Sequence, residues 1–319
     1  MPKQKQTTQT ISIIVSLSNA AERVSLLASE IIRALERTSR PFELIFVDDA
    51  SADDTFERLS DIARDDERIR AIRMRSAFGE GAALQAGMAN SSGEVVVFVS
   101  DRVHVNPNDL IKLLAPIDDS FDLAVAWRWP RRDSILNRQV SRLFNRAASR
   151  LSKVKLHDIN SGCFAARRSL LQKVTLYGDL YDFLPILAGQ QGYHVTEVQV
   201  EQLPGVFRVS RYPNEYVKRS LDILTVFFLT RYSKKPIHFM GFVGTLLLVA
   251  GAAIELYLFI YRILGFGGIA GRPLLILGAL ALIIGIQMIS IGLLGEMIIF
   301  THAADIEEYN IEEIIQREP

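Results

Sequence analysis

The chain has 319 residues, enough for one soluble domain of about 230 residues and a separate apolar module. Its 36 basic and 36 acidic residues cancel to a formal net charge of zero, and no nucleic-acid partner is expected. The lone cysteine, Cys163, excludes an intrachain disulfide, offers no zinc-site spacing and fits a reducing compartment.

The polar N-terminus leads into ISIIVSLS, too brief for a signal peptide's apolar core plus cleavage site and read as a first strand. A helix is predicted around 20–37, then the strand FELIFVDD and a helix around 53–65. IRAIRM precedes a loop and a helix around 80–90, EVVVFVSD precedes a helix around 107–116, and DLAVAW closes the series. This β–α alternation predicts an α/β fold with a parallel, doubly wound sheet.

The second strand ends in Asp48 and Asp49, followed by Ser51, Asp53, Asp54 and Thr55. Ligands of open α/β sheets sit beyond the carboxyl ends of the strands, so these two acids point into a crevice. A turn and a helix cap account for one or two residues of the run, but not for paired acids at a strand end. At this level the pair suits metal, nucleotide or acid–base work equally.

Residues 128–155 carry nine Arg or Lys against the single acid Asp133. Within them, 134–152 reads as an amphipathic helix with Ile135, Val140, Leu143, Phe144, Ala147 and Leu151 on one face. It suits either an anionic membrane surface or an ordinary solvated face. Residues 214–230 read as an interfacial helix running into two apolar stretches, 237–261 and 273–300, each long enough to cross a bilayer. The loop between them is short, so they form a hairpin with both outer ends on one side. Arg231, Lys234 and Lys235 before the first span outnumber Arg262 and Arg272 between the spans, which places both termini in the cytoplasm. Glu255 and Glu296 lie within or near the ends of these spans; Glu255 is suited to face a partner helix, whereas Glu296 suits an interface marker. Gly241, Gly244 and Gly251 offer a small-residue surface either for a homo-oligomer or for packing within the chain.

Several segments, in order, carry a resemblance: VDDASADDT at 47–55, FGEGAALQAG at 78–87, SGE at 92–94 and WRWPRRDSILNRQVSRLFNR at 127–146. DINSGCFAARR at 158–168, GYHVTEVQV at 192–200, SRY at 210–212, KKPIHFMGFVG and GLLGE complete the set. The chain resembles the family 2 glycosyltransferases of the polyprenyl-phosphate branch, which includes dolichol-phosphate mannose synthase and bacterial polyprenyl-phosphate glucosyl- and aminoarabinosyltransferases. The resemblance implies a GT-A domain over 1–208, an interfacial helix over 209–236, a transmembrane hairpin over 237–300 and an acidic cytoplasmic tail over 301–319. It implies an inverting glycosyltransferase of a bacterial inner membrane that moves a sugar from a nucleotide-sugar, UDP first, to polyprenyl phosphate at the lipid bilayer. By matching positions, Asn19, Asp48 and Asp49 would contact base and ribose, with Ser51 and Asp54 shaping that pocket. Arg128, Arg138 and Ser141 would meet the acceptor phosphate, as suits guanidinium groups that fork onto phosphate oxygens.

The resemblance breaks after the fourth strand. Where the family has Asp-x-Asp, often with a Gln two residues on, this chain has Ser100-Asp101-Arg102 and His104. Departures also fall at Ser16 to Ala20, Ser76-Ala77, Gly205 and Arg208. Two readings follow. In one the enzyme is active, with Asp101, Arg102 and Asp158 as catalytic candidates. It then either works without a metal, through Arg102 and His104, or holds Mg2+ or Mn2+ through Asp101 and His104. In the other the chain is a catalytically impaired homologue, a scaffold or regulatory subunit of a membrane complex. The retained arginines, Asp158 and the hairpin favour activity.

Overall fold

The sheet is built from Ile11–Leu17 (β1), Phe42–Asp48 (β2), Ile69–Arg73 (β3), Val95–Ser100 (β4), Leu123–Arg128 (β5), Cys163–Arg167 (β6) and Val195–Val200 (β7). Every residue of β1 and β4 is buried, as is all of β2 but Phe42, which is why these strands read as unbroken apolar runs rather than alternating ones. The computed structural model describes residues 9–130, 156–174, 178–203, 236–269 and 271–301. The predicted helices at 134–152 and 214–230 (within the segment 209–236) and the acidic tail beyond Thr301 lie outside the described residues. The chain divides into two units, Met1–Val226 and Phe227–Pro319.

In the first unit the seven strands take the order β3-β2-β1-β4-β6-β5-β7. β3, β2, β1 and β4 are mutually parallel, as the alternation predicts. β6 runs antiparallel between β4 and β5, so the sheet is mixed beyond the fourth strand. The connection from β5 to β6 leaves and re-enters at the same end of the sheet, which needs no crossover helix and gives an antiparallel pair.

Val24–Glu36 (α1) and Thr55–Asp65 (α2) cover one face, where Val24, Ala28, Ile31 and Leu35 of α1 form a stripe against Val15, Leu17 and Phe46. Glu80–Ala89 (α3) covers the other face, with Ala83 and Leu84 against Ile14, Ile45 and Phe98. The chain thus winds one way from β1 to β3 and the other way to β4, making the β1/β4 boundary a topological switch point. The predicted helix at 107–116 is instead a 3-10 turn, Pro107–Leu113, followed by the short helix Leu114–Asp118 (α4). Pro116 cannot donate the backbone bond that a continuous α-helix requires there. Arg168–Lys173 (α5) and Leu184–Gln190 (α6) pack on the α3 side through Leu170, Leu171, Leu184 and Ile186.

The opposite end of the sheet is tied by one carboxylate. Glu43 Oε1 accepts from Ser12 Oγ at 2.7 Å, Ser92 N at 2.5 Å and Gly93 N at 3.1 Å. A Cβ at Gly93 would lie 2.5 Å from Ser12 Oγ and 2.8 Å from Thr10 O, so the SGE segment serves this knot. Burial pushes the Glu43 carboxyl up, but the bonds from Ser92, Ser12 and Gly93 outweigh it and hold the group below the ordinary glutamate range. An acid with a depressed folded-state pKa contributes stability above its unfolded value, and that contribution is lost as pH falls through the folded value. Glu43→Gln is therefore expected to lower stability by about 1–3 kcal/mol at neutral pH. In chemical denaturation the gap to wild type should close as pH falls below about 4; a gap independent of pH would contradict this account.

In the second unit, Pro236–Ile263 (α7) and Pro273–Thr301 (α8) are long and apolar enough to cross a membrane. They pack against each other through glycines: a Cβ at Gly244 would lie 2.7 Å from Gly285 O, and one at Gly251 would lie 2.8 Å from Gly278 O. Gly244 and Gly251 are thus engaged inside the hairpin, in packing within the chain, one of the two uses open to them from sequence. The Glu255 carboxylate lies in the same seam, against Gly278. Phe242, Leu246, Val249, Ile276 and Leu293 are exposed, as lipid-facing side chains are.

Candidate active site

Sheet register sets the geometry of the crevice. Leu17 pairs with Asp48 and Ser16 with Ser100, so the carboxyl ends of β1, β2 and β4 finish level with one another. The loop after β1 and the loop after β2 are laced together there. Asn19 N donates to Ser51 Oγ at 2.9 Å, and Ala52 N donates to Asn19 Oδ1 at 2.9 Å. Asn19 has φ 52° and Ala50 φ 54°, left-handed conformations that the lacing holds in place. Asp53, not singled out among the candidates, accepts from Ala21 N at 3.1 Å and from Thr55 N at 3.2 Å. Ala20 N in turn donates to Thr55 Oγ1 at 2.8 Å. The D-x-T spacing at a helix start is the signal that identifies such a residue. Asp54 is exposed and its side chain makes no capping bond to α2.

Asp48 and Asp49 are both buried. Asp48 Oδ1 accepts from Ser51 N and Oγ, while Oδ2 has no hydrogen-bond partner among the described residues. Asp49 accepts from Phe78 N at 2.7 Å and Gly79 N at 3.0 Å, fixing the loop that opens α3. The sequence reading gave these acids direct contact with base and ribose. Both acids frame the crevice at the end of β2, while Asn19 and Phe78 are exposed at its surface.

The turn after β4 is a single 3-10 turn, Asp101–Val103. Ser100 Oγ donates to Glu80 Oε1 at 2.8 Å and Arg102 Nε lies 3.2 Å from the same oxygen. Tyr181 OH donates to Glu80 Oε2. Burial raises the Tyr181 pKa well above that of a free phenol, helped by Asp182 and Glu80, so the hydroxyl keeps its proton. Asp101 turns the other way, to Arg23 Nη2, and Arg23 Nη1 lies 3.3 Å from His104 Nε2. Burial raises the Asp101 pKa against the pull of Arg23, His104 and Arg102. Burial and then Arg23 lower the His104 pKa, keeping the ring neutral at neutral pH. Arg23 and Glu80 are site residues that sequence reasoning missed, since their partners lie 78 and 20 or more residues away.

On the third side, Arg128 is buried in a bidentate pair with Asp158, Nε–Oδ2 2.6 Å and Nη2–Oδ1 2.9 Å, and Nη2 also donates to Asn160 O at 3.0 Å. Arg128, expected at the acceptor phosphate, and Asp158, expected in catalysis, thus lie side by side and together fix the 158–162 loop. That loop abuts β4, with Ser100 N donating to Gly162 O at 2.8 Å. Arg138 and Ser141 lie outside the described residues. Burial pushes the Cys163 thiol up to about 12, which makes it inert as a nucleophile.

Asp101 and His104 do come together, as a divalent ion would require, but the Arg23 guanidinium forks onto both. Among the described residues no cluster of three His, Cys, Asp or Glu is suited to a metal. A donor set of one carboxylate and one imidazole already shared with a guanidinium does not fit Mg2+ or Mn2+, which take hard oxygen ligands.

A sequence model described as "Glycosyl transferase family 2" matches residues 12–175. A dodecaprenyl-phosphate galacturonate synthase of Rhizobium johnstonii is 30% identical over 301 residues, covering 92% of this chain and 89% of the relative. An undecaprenyl-phosphate 4-deoxy-4-formamido-L-arabinose transferase of Yersinia enterocolitica is 25% identical over 313 residues, covering 97% and 94%. Among solved structures, glucosyl-3-phosphoglycerate synthase from Mycobacterium tuberculosis in complex with Mg2+ and UDP superposes with a TM-score of 0.53 at 20% identity, over 70% of this chain and 79% of that one. The same enzyme with Mn2+, UDP and phosphoglyceric acid gives 0.52 at 20% identity, over 70% and 78%. These two likenesses establish a GT-A fold for the first unit.

Proposed function

The chain belongs to glycosyltransferase family 2, and from that premise we propose that it transfers a sugar from a nucleotide-sugar to polyprenyl phosphate, making a lipid-linked sugar for modification of the cell envelope. The observation that carries the reading is coverage. The relatives named for polyprenyl-phosphate transfer align over 92% and 97% of this chain, which takes in both apolar helices as well as the catalytic domain. The chain is an integral membrane protein on this reading, its hairpin set in a bacterial inner membrane with both termini cytoplasmic by the positive-inside bias. Nothing in the relatives favours the scaffold reading.

The nucleotide is UDP first, and its nucleoside lies in the crevice over β1 and β2, against Asn19, Asp48 and Asp49, with Ser51 and Asp54 shaping the pocket. An oxygen of the lipid phosphate attacks the anomeric carbon from the face opposite the leaving group, and the configuration inverts. The bond from that carbon to the diphosphate oxygen breaks and its electron pair leaves with the nucleoside diphosphate. A lipid phosphate is ionised near neutral pH, so the step needs no strong base. Arg128, Arg138 and Ser141, in the basic segment 128–155, are the residues proposed to meet that phosphate.

The test is release of nucleoside diphosphate from a panel of nucleotide-sugars by the purified full-length protein. Release should require polyprenyl phosphate and be absent with polyprenol, which lacks the phosphate. Release that is indifferent to the lipid phosphate would defeat the proposed acceptor.

A further inference from the structure

We infer that two arginines, Arg23 and Arg102, bind the diphosphate of the donor and take up the charge of the leaving group. This rests on the glycosyltransferase reading above and says how that site works. Arg23 follows β1 and Arg102 follows β4, so the two guanidinium groups flank the switch point between those strands, where an α/β sheet places its ligand.

Burial distinguishes the cations from their anchors. The side chains of Asp101 and Glu80 are 10% and 9% exposed, whereas those of Arg23 and Arg102 are 43% and 45% exposed. An anion arriving from solvent therefore meets guanidinium N–H groups first, with the carboxylates beneath them. Arg102 approaches Glu80 through Nε, and no hydrogen bond from its two terminal nitrogens is found among the described residues. Arg23 is held by Asp101 on one prong and by the neutral His104 on the other. Asp101 and Glu80 are thus positioning residues, each aiming one cation, and Ser100 and Tyr181 fix Glu80 in turn.

The charges balance without a metal. A lipid phosphate of charge −2 and a nucleotide-sugar of charge −2 give a phosphodiester of charge −1 and a nucleoside diphosphate of charge −3. The added charge appears on the diphosphate oxygen that keeps the electron pair, within reach of two fixed cations that need no reorganisation as it develops.

The test titrates UDP, GDP, CDP and dTDP, and the matching nucleosides, into the full-length protein by calorimetry, in chelator and then with Mg2+ or Mn2+. The preferred diphosphate should bind in chelator with an affinity that metal changes little. Arg23→Ala and Arg102→Ala should each weaken it by about tenfold or more while leaving nucleoside affinity alone, and should slow single-turnover transfer by about 10²-fold. Arg102→Lys, which keeps charge but not the fork, should recover part of the loss. A melting curve separates misfolding from loss of the site, and Arg102→Gln serves if the alanine variant unfolds. Binding that appears only with metal, or arginine variants that bind the diphosphate as wild type does, would overturn the inference and leave the transferase reading standing. If no diphosphate binds in any condition and no lipid-linked sugar forms, the transferase reading itself falls, and this inference with it.

Discussion

Asp158→Ala is expected to lower the stability of the first unit by about 3–5 kcal/mol, because it leaves the buried Arg128 guanidinium without its carboxylate. For a unit of this size, each kcal/mol moves the melting temperature by roughly 2–4 °C, so the fall should be roughly 6–20 °C. Asn160 O remains beside Nη2 as a neutral acceptor. The paired replacement Arg128→Met with Asp158→Leu removes both charges and should melt close to wild type, as well-packed apolar replacements of buried ion pairs do. Turnover of that double variant separates two roles. If the pair only fixes the 158–162 loop against β4, activity returns with stability. If Asp158 acts on substrate, the double variant stays inactive at wild-type stability.

Asp49→Ala carries the second large effect. Its carboxylate holds the amides of Phe78 and Gly79, and hydrogen bonds to a charged acceptor are worth about 1.5–3 kcal/mol each, so the loss should be about 3–6 kcal/mol. Asp49→Asn keeps one acceptor oxygen and should lose about half of that. The consequence reaches the chemistry, because the residue after Gly79 is Glu80, the first of α3, which anchors Arg102. Diphosphate affinity should therefore fall together with melting temperature. A variant that loses nucleotide binding with an unchanged melt would instead place Asp49 in direct contact with the nucleoside.

The sequence pattern was sufficient for β1, β2 and β4, whose apolar runs have no competing helical period. It was insufficient at 107–116, where apolar spacing suggests a helix that Pro116 interrupts, and at β6, a five-residue strand whose direction depends on the path between 128 and 163. The crevice at the end of β2 was legible because strand ends are local. The division of labour within it was not. Asp53 and Asp54 look alike in sequence, yet one laces two loops and the other faces solvent. Arg128 reads as one more cation in a basic run until its partner, 30 residues on, is seen to bury it. Arg23 has no local mark at all, since only the adjacency of β1 and β4 brings it to Asp101, 78 residues away. Long-range pairings of this kind carry no periodicity to read.

The central claim, transfer of a sugar to a lipid phosphate, is tested most directly by the product. Full-length protein in polyprenyl-phosphate vesicles, supplied with the nucleotide-sugar that it hydrolyses or binds best, is extracted and its lipid fraction is analysed by mass spectrometry and NMR. The account predicts polyprenyl phosphate carrying one sugar, with the anomeric configuration inverted and one nucleoside diphosphate released per product. A lipid fraction without glycosylated polyprenyl phosphate, after the full panel of nucleotide-sugars with and without divalent metal, would contradict it.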